Sequence, residues 1–338
     1  MTLRAAGLLA SGALFLGCSS NSVPVEREAA WADAQALAQA APGTVRSFSL
    51  TYATKIAPPA DAKTVRVWVP LPSTDETQKI SNLKIESPVA HKETRDALYG
   101  NRLAYFESQG ATEIPITVSF DVVRREIKEV EDMGGSGVAA RALQPDRLAP
   151  IDGEVSKRAQ TASAGKSSVA DKSRALYDRT LTDVAYDKSG QGWGRGDIKY
   201  VCEVGKGNCS DFHALFIGMS RAQGIPAVFE IGFPLPAGKT EGEIGGYHCW
   251  AWYQDGGVWK PVDASEADKD PSKTDYYYGT LCPNRVGLSK GRDIVLEPRQ
   301  AGEPVNFLIY PYVEVDGKAD TAKVEKKFSF ADSGANKT

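Results

Sequence analysis

Cys209 stands at the start of an apolar segment with helical spacing, where a thiol can act as a nucleophile. Large apolar residues follow at i, i+3, i+4 and i+7, which predicts one face of a helix, at Phe212, Leu215, Phe216 and Met219. Asn208 precedes the cysteine and is a preferred N-cap residue. In the first helical turn, the helix dipole and the free backbone N–H groups favour a thiolate and can bind an oxyanion. A buried cysteine that only packs is the alternative interpretation.

A base for this thiol is predicted from a β-hairpin further along the chain. His248 and Asp263 lie on two predicted strands that flank Asp255, Gly256 and Gly257. Because Asp-Gly is a strong turn signal, we expect a two-residue turn at Asp255 and Gly256. That turn would place His248 directly opposite Asp263, with Cβ atoms about 5 Å apart, so that the carboxylate could orient the imidazole. A turn at Gly256 and Gly257 would shift the pairing, and we expect that it would misplace both residues.

Two further residues bear on this hairpin and on the choice of base. Pro261 cannot donate a ladder hydrogen bond, so the second strand should be an edge strand or be kinked there. His213 follows Cys209 by one helical turn and is an alternative base. No nearby carboxylate obviously orients the His213 ring, so we favour His248. The remaining histidine, His91, lies in a polar segment and is expected to face solvent.

Short alternating strands separated by Pro, Gly and Asp precede these residues. The candidate strands are 45–52, 65–69, 80–85, 102–106 and 114–123. This pattern predicts an antiparallel β-sandwich domain over residues 45–130. The Gly-rich segment 133–137 predicts a linker or loop, and apolar spacing predicts helices at 155–164 and 167–181. A polar, partly frayed tail is expected over residues 316–338.

The first residues of the chain predict an export signal. Residues 5–16 are apolar, follow Arg4 and are too short to span a bilayer as a helix. They lead into residues 15–20 (FLGCSS), which are similar to a bacterial lipoprotein signal. Cleavage after a signal peptide of residues 1–17 would leave Cys18 as the lipidated N-terminus. An ordinary secretory signal is the alternative.

A lipid anchor at Cys18 would place the protein outside the cytoplasm, attached to the cell envelope. Residues 18–44 would then form a polar tether. Ser19 and Ser20 replace the Asp that often retains such proteins in the inner membrane, so we expect the periplasmic face of the outer membrane in a Gram-negative cell.

Composition excludes some classes of function. Lys and Arg total 40 and Asp and Glu total 43, giving a net charge of −3. This balance argues against nucleic-acid binding, which usually requires a strongly basic face. The cysteines are too few for a disulfide scaffold in a chain of 338 residues. One disulfide among Cys202, Cys249 and Cys282 remains open in an oxidising compartment, and so does the oligomeric state.

Four segments together resemble the transglutaminase-like superfamily, which shares its core with papain-type cysteine proteases. They are residues 207–213 (GNCSDFH), 221–227 (RAQGIPA), 247–251 (YHCWA) and 261–264 (PVDA). Their order, Cys then His then Asp, matches the family. Residues 67–72 and 304–317 also resemble bacterial members that carry an N-terminal β-domain.

The resemblance implies an α+β fold in two parts. After the antiparallel β-sandwich, a papain-like catalytic domain is expected over residues 150–315. In that domain the nucleophile helix packs on an antiparallel sheet.

The resemblance also implies acyl transfer through a thioester. Cys209 would attack a carboxamide carbonyl, His248 would transfer the proton, and Asp263 would fix the imidazole tautomer, with no metal or organic cofactor required. Relatives use an upstream side chain as second oxyanion donor, for which Trp193 and Gln191 are the candidates here.

The acyl acceptor decides which reaction follows. Release to water would make the protein a peptidase or amidase that acts on an extracytoplasmic protein or peptide, and we favour this interpretation. Release to an amine would make it a cross-linking transglutaminase. A binding module of the cell envelope that retains the fold without catalysis is the third alternative.

Overall fold

The computed structural model describes residues 45–134, 137–319 and 321–333. The first part is a series of antiparallel strands, namely β1 (Val45–Ala57), β2 (Thr64–Leu71), β3 (Gln78–Glu86), β4 (His91–Arg95), β5 (Arg102–Gln109) and β6 (Ile114–Arg125). In β6 every second residue from Ile114 to Val122 is buried and the residues between them are not. Since successive side chains of a strand point to opposite faces, this alternation marks the face that packs on the second sheet.

The second part contains the helices and a further sheet. Its elements are α1 (Val138–Arg141), α2 (Gly153–Ala162), α3 (Val169–Asp183), β7 (Ala185–Tyr186), α4 (Ile198–Val204), β8 (Lys206–Gly207), α5 (Cys209–Ala222), β9 (Ala227–Pro234), β10 (Glu241–Glu243), β11 (His248–Asp255), β12 (Val258–Val262), α6 (Ala264–Lys269), a 3₁₀ turn (Pro271–Lys273), α7 (Thr274–Tyr277) and β13 (Arg285–Lys290). The chain ends in β14 (Tyr312–Val315), β15 (Lys318–Ala319) and β16 (Lys323–Asp332). No helix in these ranges has the length and apolarity to cross a bilayer.

Two five-stranded sheets form the sandwich, in the orders β10-β16-β1-β6-β3 and β15-β14-β2-β5-β4. Phe48 and Leu50 of the first sheet share one buried cluster with Val67 and Phe106 of the second. The α+β prediction with an N-terminal antiparallel β-domain is confirmed. Strand β4 was not predicted because nearly all its residues are exposed and polar, so its sequence shows no alternation of apolar and polar residues.

The prediction of a polar, partly frayed tail is wrong for residues 323–332. These residues form β16, which pairs with β1 along ten positions from Phe48↔Asp332 to Ala57↔Lys323. Phe328 and Phe330 are buried on the sandwich face, while Lys323, Glu325 and Lys327 are exposed. A strand with one solvated face needs only a few apolar residues. The charged residues on the exposed face of β16 are the reason why the sequence did not predict this strand.

Helix α5 lies at the centre of the second part of the structure. Every residue from Cys209 to Arg221 is buried, so the prediction of one apolar face understated its burial. The sheet of order β12-β11-β9-β13 covers α5 on one side, and α2, α3 and α4 pack on the other. Such complete burial holds the first turn of α5 in a fixed position relative to β11.

Gly232 in β9 provides a stability test of this sheet. A Cβ atom built on it would lie 1.8 Å from the backbone oxygen of Val286 in β13, so the strands could not keep their spacing. We expect Gly232→Ala to lower the free energy of unfolding, measured by urea denaturation, by about 1–3 kcal/mol or more. Gly245→Ala is the control, since nothing lies within 4 Å of its Cβ position. Equal stability of both variants would contradict the packing described for β9 and β13.

Candidate active site

Cys209 is held at the first position of α5 by a capping box. The Asn208 side chain accepts a hydrogen bond from the Ser210 N–H at 2.9 Å, and the Asp211 carboxylate accepts one from the Asn208 N–H at 2.9 Å. Gly207 is required just before this turn, because a Cβ there would lie 2.3 Å from Asp211 Oδ2. The predicted N-cap is confirmed. The Cys209 side chain is thereby fixed at the positive end of a buried helix.

Asp211 also ties the Gly-rich loop of residues 189–196 to this helix. Its two oxygens accept hydrogen bonds from the backbone N–H groups of Gly194 at 2.6 Å and Gly196 at 3.0 Å. Both glycines have positive φ angles, 83° and 60°. The loop that contains Trp193 is therefore anchored one turn from Cys209. Sequence reasoning missed this role, although an acidic residue three positions after an Asn cap is the signal for a capping box.

His248 and Asp263 are in contact, as the hairpin predicted. His248 Nε2 lies 2.7 Å from Asp263 Oδ2, and both side chains are buried. Asp263 follows the last residue of β12 and caps α6, accepting a hydrogen bond from the Glu266 N–H at 3.2 Å. β12 is an edge strand of its sheet, as Pro261 predicted.

The register behind this contact differs from the prediction. Asp255 pairs with Val258, so the turn residues are Gly256 and Gly257 rather than Asp255 and Gly256. Their φ angles are 63° and 92°, and positive values at both central positions are what a type I′ turn needs. The expectation that this turn would misplace His248 and Asp263 is wrong. The shift is two residues, one full side-chain period, so Asp263 stays on the same face as a diagonal neighbour of His248.

Asp263 has a second cationic partner that sequence reasoning missed. Arg285 Nη1 donates to Asp263 Oδ2 at 2.9 Å, and its guanidinium lies 4.9 Å from the centre of the Trp250 ring. Burial alone would raise the pKa of Asp263, but the charges of His248 and Arg285 hold that pKa well below its usual value. The carboxylate therefore stays ionised although it is inaccessible to water. Arg285 lies 22 residues after Asp263, and no motif in the sequence links the two.

Cys209 and His248 form a hydrogen-bonded pair with opposite pKa shifts. Burial alone would raise the pKa of Cys209, but hydrogen bonds from Cys249 and His248 and the charge of His248 hold that pKa well below its ordinary value. Burial alone would lower the pKa of His248, but the Asp263 carboxylate and the hydrogen bonds raise it to about 10. The two shifts together favour a thiolate paired with an imidazolium, which is the resting state of a cysteine nucleophile with its acid partner.

Residues 156–264 match the family model described as the transglutaminase-like superfamily. They form a transglutaminase-like domain. The matched range begins within α2 and ends just after Asp263, so it contains Cys209, His248 and Asp263.

Known proteins resemble the chain over most of its length. An uncharacterized protein of Haemophilus influenzae is 24% identical over 329 residues, covering 84% of this chain and 89% of that protein. A proposed cysteine protease from Cytophaga hutchinsonii shares the fold, with a TM-score of 0.58 at 16% identity over 87% of this chain and 93% of that chain. The periplasmic domain of TgpA from Pseudomonas aeruginosa matches with a TM-score of 0.35 at 15% identity, over 71% of this chain and 93% of that chain.

His213 does not replace His248 as the base in the transglutaminase-like domain. Burial lowers the pKa of His213 to about 4, so its ring is neutral. Its Nδ1 lies 2.8 Å from the Cys209 carbonyl oxygen, and its Nε2 accepts the Ala264 N–H at 3.1 Å. The ring thus connects the first turn of α5 to the start of α6. A carboxylate does lie near it, since Asp263 Oδ1 is 3.7 Å from Nε2, which corrects the expectation that none would.

Gln191 and Trp193, the other predicted site residues that the structure describes, make no hydrogen bond to Cys209, His248 or Asp263. Gln191 is exposed and Trp193 is half-buried, both in the loop anchored by Asp211. Their role as oxyanion donors stays a prediction, and Cys18 lies outside the described residues. Cys202, Cys209, Cys249 and Cys282 are all free thiols, so the structure contains no disulfide among them.

Tyr247 completes the surroundings of the nucleophile. Its hydroxyl accepts a hydrogen bond from Asn208 Nδ2 at 2.9 Å and lies 3.2 Å from Ser210 Oγ. The centre of its ring lies 5.9 Å from the ring centre of Phe307 and 6.1 Å from that of Tyr310. The aromatic side chains beside Cys209 are thus supplied both by the strand of the base and by the segment before β14.

Asp211 should be essential for the order of the Gly-rich loop. In Asp211→Asn one acceptor oxygen becomes an NH2 group, so at least one of the three backbone N–H groups loses its partner. We expect a loss of about 1–3 kcal/mol in unfolding free energy and faster hydrogen exchange at the Gly194 and Gly196 amides. Asp171→Asn is the matched control, because Asp171 occupies the first turn of α3 but is exposed. Unchanged exchange at both glycines would contradict the anchoring role.

Proposed function

We propose that the protein is a cysteine-dependent hydrolase that cleaves carboxamide or peptide bonds of an extracytoplasmic protein or peptide through a thioester. The observation that carries this proposal is the continuous chain of contacts from Cys209 through His248 to Asp263. The 2.7 Å hydrogen bond between His248 and Asp263 and the low pKa of Cys209 are what a nucleophile with an oriented acid–base partner requires.

The arrangement supports a two-step reaction. The Cys209 thiolate attacks the substrate carbonyl carbon, and the carbonyl oxygen takes up the negative charge. The backbone N–H of Cys209, at the first helical position, has no intrahelical acceptor and can stabilise that charge. His248, protonated at the start, gives its proton to the leaving amine as the thioester forms. It then takes a proton from water, which attacks the thioester and releases the acid and the Cys209 thiolate.

Asp263 and Arg285 support these steps without contacting the substrate. Asp263 holds His248 by its Nε2 atom, which leaves Nδ1 directed to the nucleophile. Arg285 keeps the Asp263 carboxylate ionised and limits its movement through the 2.9 Å hydrogen bond. Because an unpaired buried charge costs several kcal/mol, this second partner makes a permanently charged orienting group compatible with complete burial.

The pH dependence of Cys209 alkylation tests the ion pair before any substrate is known. Thiolate forms as pH rises through the lowered pKa of Cys209, so iodoacetamide labelling, mapped by mass spectrometry, should have its midpoint well below the ordinary thiol value of about 8.5. Hydrolysis, which also needs protonated His248, should fall as pH rises through about 10. His248→Ala should move the labelling midpoint up. A wild-type midpoint near the ordinary value would contradict the proposal.

Cleavage of a peptide library distinguishes the acyl acceptors. Wild-type protein should release new C-terminal carboxylates, and Cys209→Ala should reduce the rate at least about a hundredfold, the scale expected when a nucleophile is lost. A fluorescent primary amine is included in a parallel reaction. Incorporation of that amine in preference to hydrolysis would favour a transglutaminase instead. Full hydrolysis by Cys209→Ala would overturn the role of the thiol.

We also propose that Cys18 is lipidated and attaches the protein to the membrane of the cell envelope. The lipoprotein-like residues 15–20 support this proposal. In cells fed a labelled fatty acid, the wild-type protein should carry the label and partition with membranes, and Cys18→Ala should do neither. Cys202→Ala should label like wild type. Label retained in Cys18→Ala would contradict a lipid anchor at this residue.

A further inference from the structure

Cys282 is a half-buried thiol in the short connection that leads into β13. Both ends of this connection are fixed by the fold. The preceding residue, Leu281, exchanges two backbone hydrogen bonds with Ile127, at 2.8 and 3.0 Å, and β13 begins at Arg285. Cys282 is therefore held in place while part of the residue remains exposed to solvent. The mechanism described above assigns this thiol no role.

One guanidinium contacts both Cys282 and the carboxylate that orients His248. Arg285 Nη2 donates to Cys282 Sγ at 3.5 Å, and Arg285 Nη1 donates to Asp263 Oδ2 at 2.9 Å. The Trp250 ring, whose centre lies 4.9 Å away, packs against the guanidinium, and Arg285 is only 3% exposed. A planar group held by two of its nitrogens and on one face has little freedom to turn toward other acceptors.

One donor of this guanidinium has no partner. Among the described residues, the buried Nε atom of Arg285 makes no hydrogen bond, and leaving a buried donor unpaired is costly. The N–H groups of Nε and Nη2 point outward from the same edge of the planar group, so the unpaired donor lies beside the donor that is directed at Cys282. Such an arginine edge matches anions that present two oxygens. In this structure the edge faces a single sulfur atom.

We propose that Cys282 is a modification site where a hydroperoxide oxidises the thiol and the Nε–Nη2 edge of Arg285 binds the oxidised product. With hydrogen peroxide, the Cys282 thiolate attacks one peroxide oxygen, so an S–O bond forms and the O–O bond breaks. Sulfur loses two electrons to the peroxide, whose second oxygen leaves as hydroxide. That hydroxide takes the proton of the sulfenic acid and becomes water, which leaves a sulfenate. A second peroxide oxidises the sulfenate to a sulfinate in the same way.

The surroundings of Cys282 favour the thiolate that this reaction needs. Burial alone would raise the pKa of Cys282, but the charge and the hydrogen bond of Arg285 hold that pKa below its ordinary value. A sulfenate or sulfinate remains an anion and adds oxygen atoms, which accept hydrogen bonds better than a thiol sulfur does. The inference does not depend on the proposed function, although the oxidised thiol shares its cation with Asp263.

Oxidation by hydrogen peroxide, mapped at each cysteine of the whole protein by mass spectrometry, tests this site. Cys202 is the matched comparison, because it is also half-buried but burial raises its pKa. Each unit between two thiol pKa values gives about tenfold more thiolate at the lower one, offset by about threefold lower nucleophilicity. At neutral pH, Cys282 should therefore gain oxygen at least about threefold faster than Cys202. In urea-unfolded protein the two rates should be equal.

Two substitutions test whether Arg285 is the group responsible. Arg285→Lys keeps the positive charge but removes the two-donor edge, so the ratio of the Cys282 rate to the Cys202 rate should fall toward one. Arg158→Lys is the matched control, because Arg158 donates to the backbone oxygen of Cys202 at 3.0 Å, and it should leave the rate at Cys282 unchanged. Circular dichroism establishes whether each variant is folded.

Three outcomes would overturn the inference. Equal oxidation rates at Cys282 and Cys202 in the folded protein would exclude a dedicated modification site. A rate difference that persists in urea would assign the reactivity to the local sequence rather than to the folded surroundings. A folded Arg285→Lys protein that oxidises Cys282 at the wild-type rate would exclude the guanidinium edge. If that variant does not fold, the comparison of folded with urea-unfolded wild type still decides.

Discussion

The hydrogen bond between His248 and Asp263 is the contact on which the rest of the site depends. Without an ionised carboxylate at 2.7 Å, burial would keep the His248 ring neutral, and a neutral ring would not stabilise a thiolate. The carboxylate in turn needs compensation, because a buried charge without partners is costly. The hydrogen-bond donors that stabilise the Asp263 carboxylate are Arg285, the Ser265 hydroxyl and the Glu266 N–H. The ionised pair of Cys209 and His248 thus depends on Asp263, which in turn depends on its own buried polar partners.

Cys209 and Asp263 are positioned by the N-terminal ends of two helices, α5 and α6, more than by the sheet. Asp263 leaves the hairpin and becomes the cap of α6, and Cys209 begins α5 next to a capping box. In both cases the functional residue lies where a helix starts, so orphan backbone N–H groups are available. His213 connects these two helix starts through its ring. Nucleophile and orienting carboxylate are therefore held to each other as well as to the sheet.

Much of this arrangement could be predicted from local patterns, and the failures have identifiable causes. The Asn cap and the apolar period were enough to place Cys209 in the first turn of a helix. The hairpin turn was misassigned because Asp-Gly and Gly-Gly both satisfy the turn, yet the contact survived because a two-residue shift preserves the face. Arg285 could not be predicted, since its pairing with Asp263 depends on how β13 packs beside β9. Strand β16 was missed because its exposed face is charged.

The C-terminal segment contacts both the sandwich and the site. Phe307 and Tyr310 pack beside Tyr247 at the nucleophile, and two residues later the chain enters β14, which pairs with β2. The Tyr310 ring also stacks on Phe328 of β16 at 5.8 Å. One continuous segment thus forms part of the site wall and completes both sandwich sheets. The β-domain is therefore part of the structure that shapes the surroundings of Cys209.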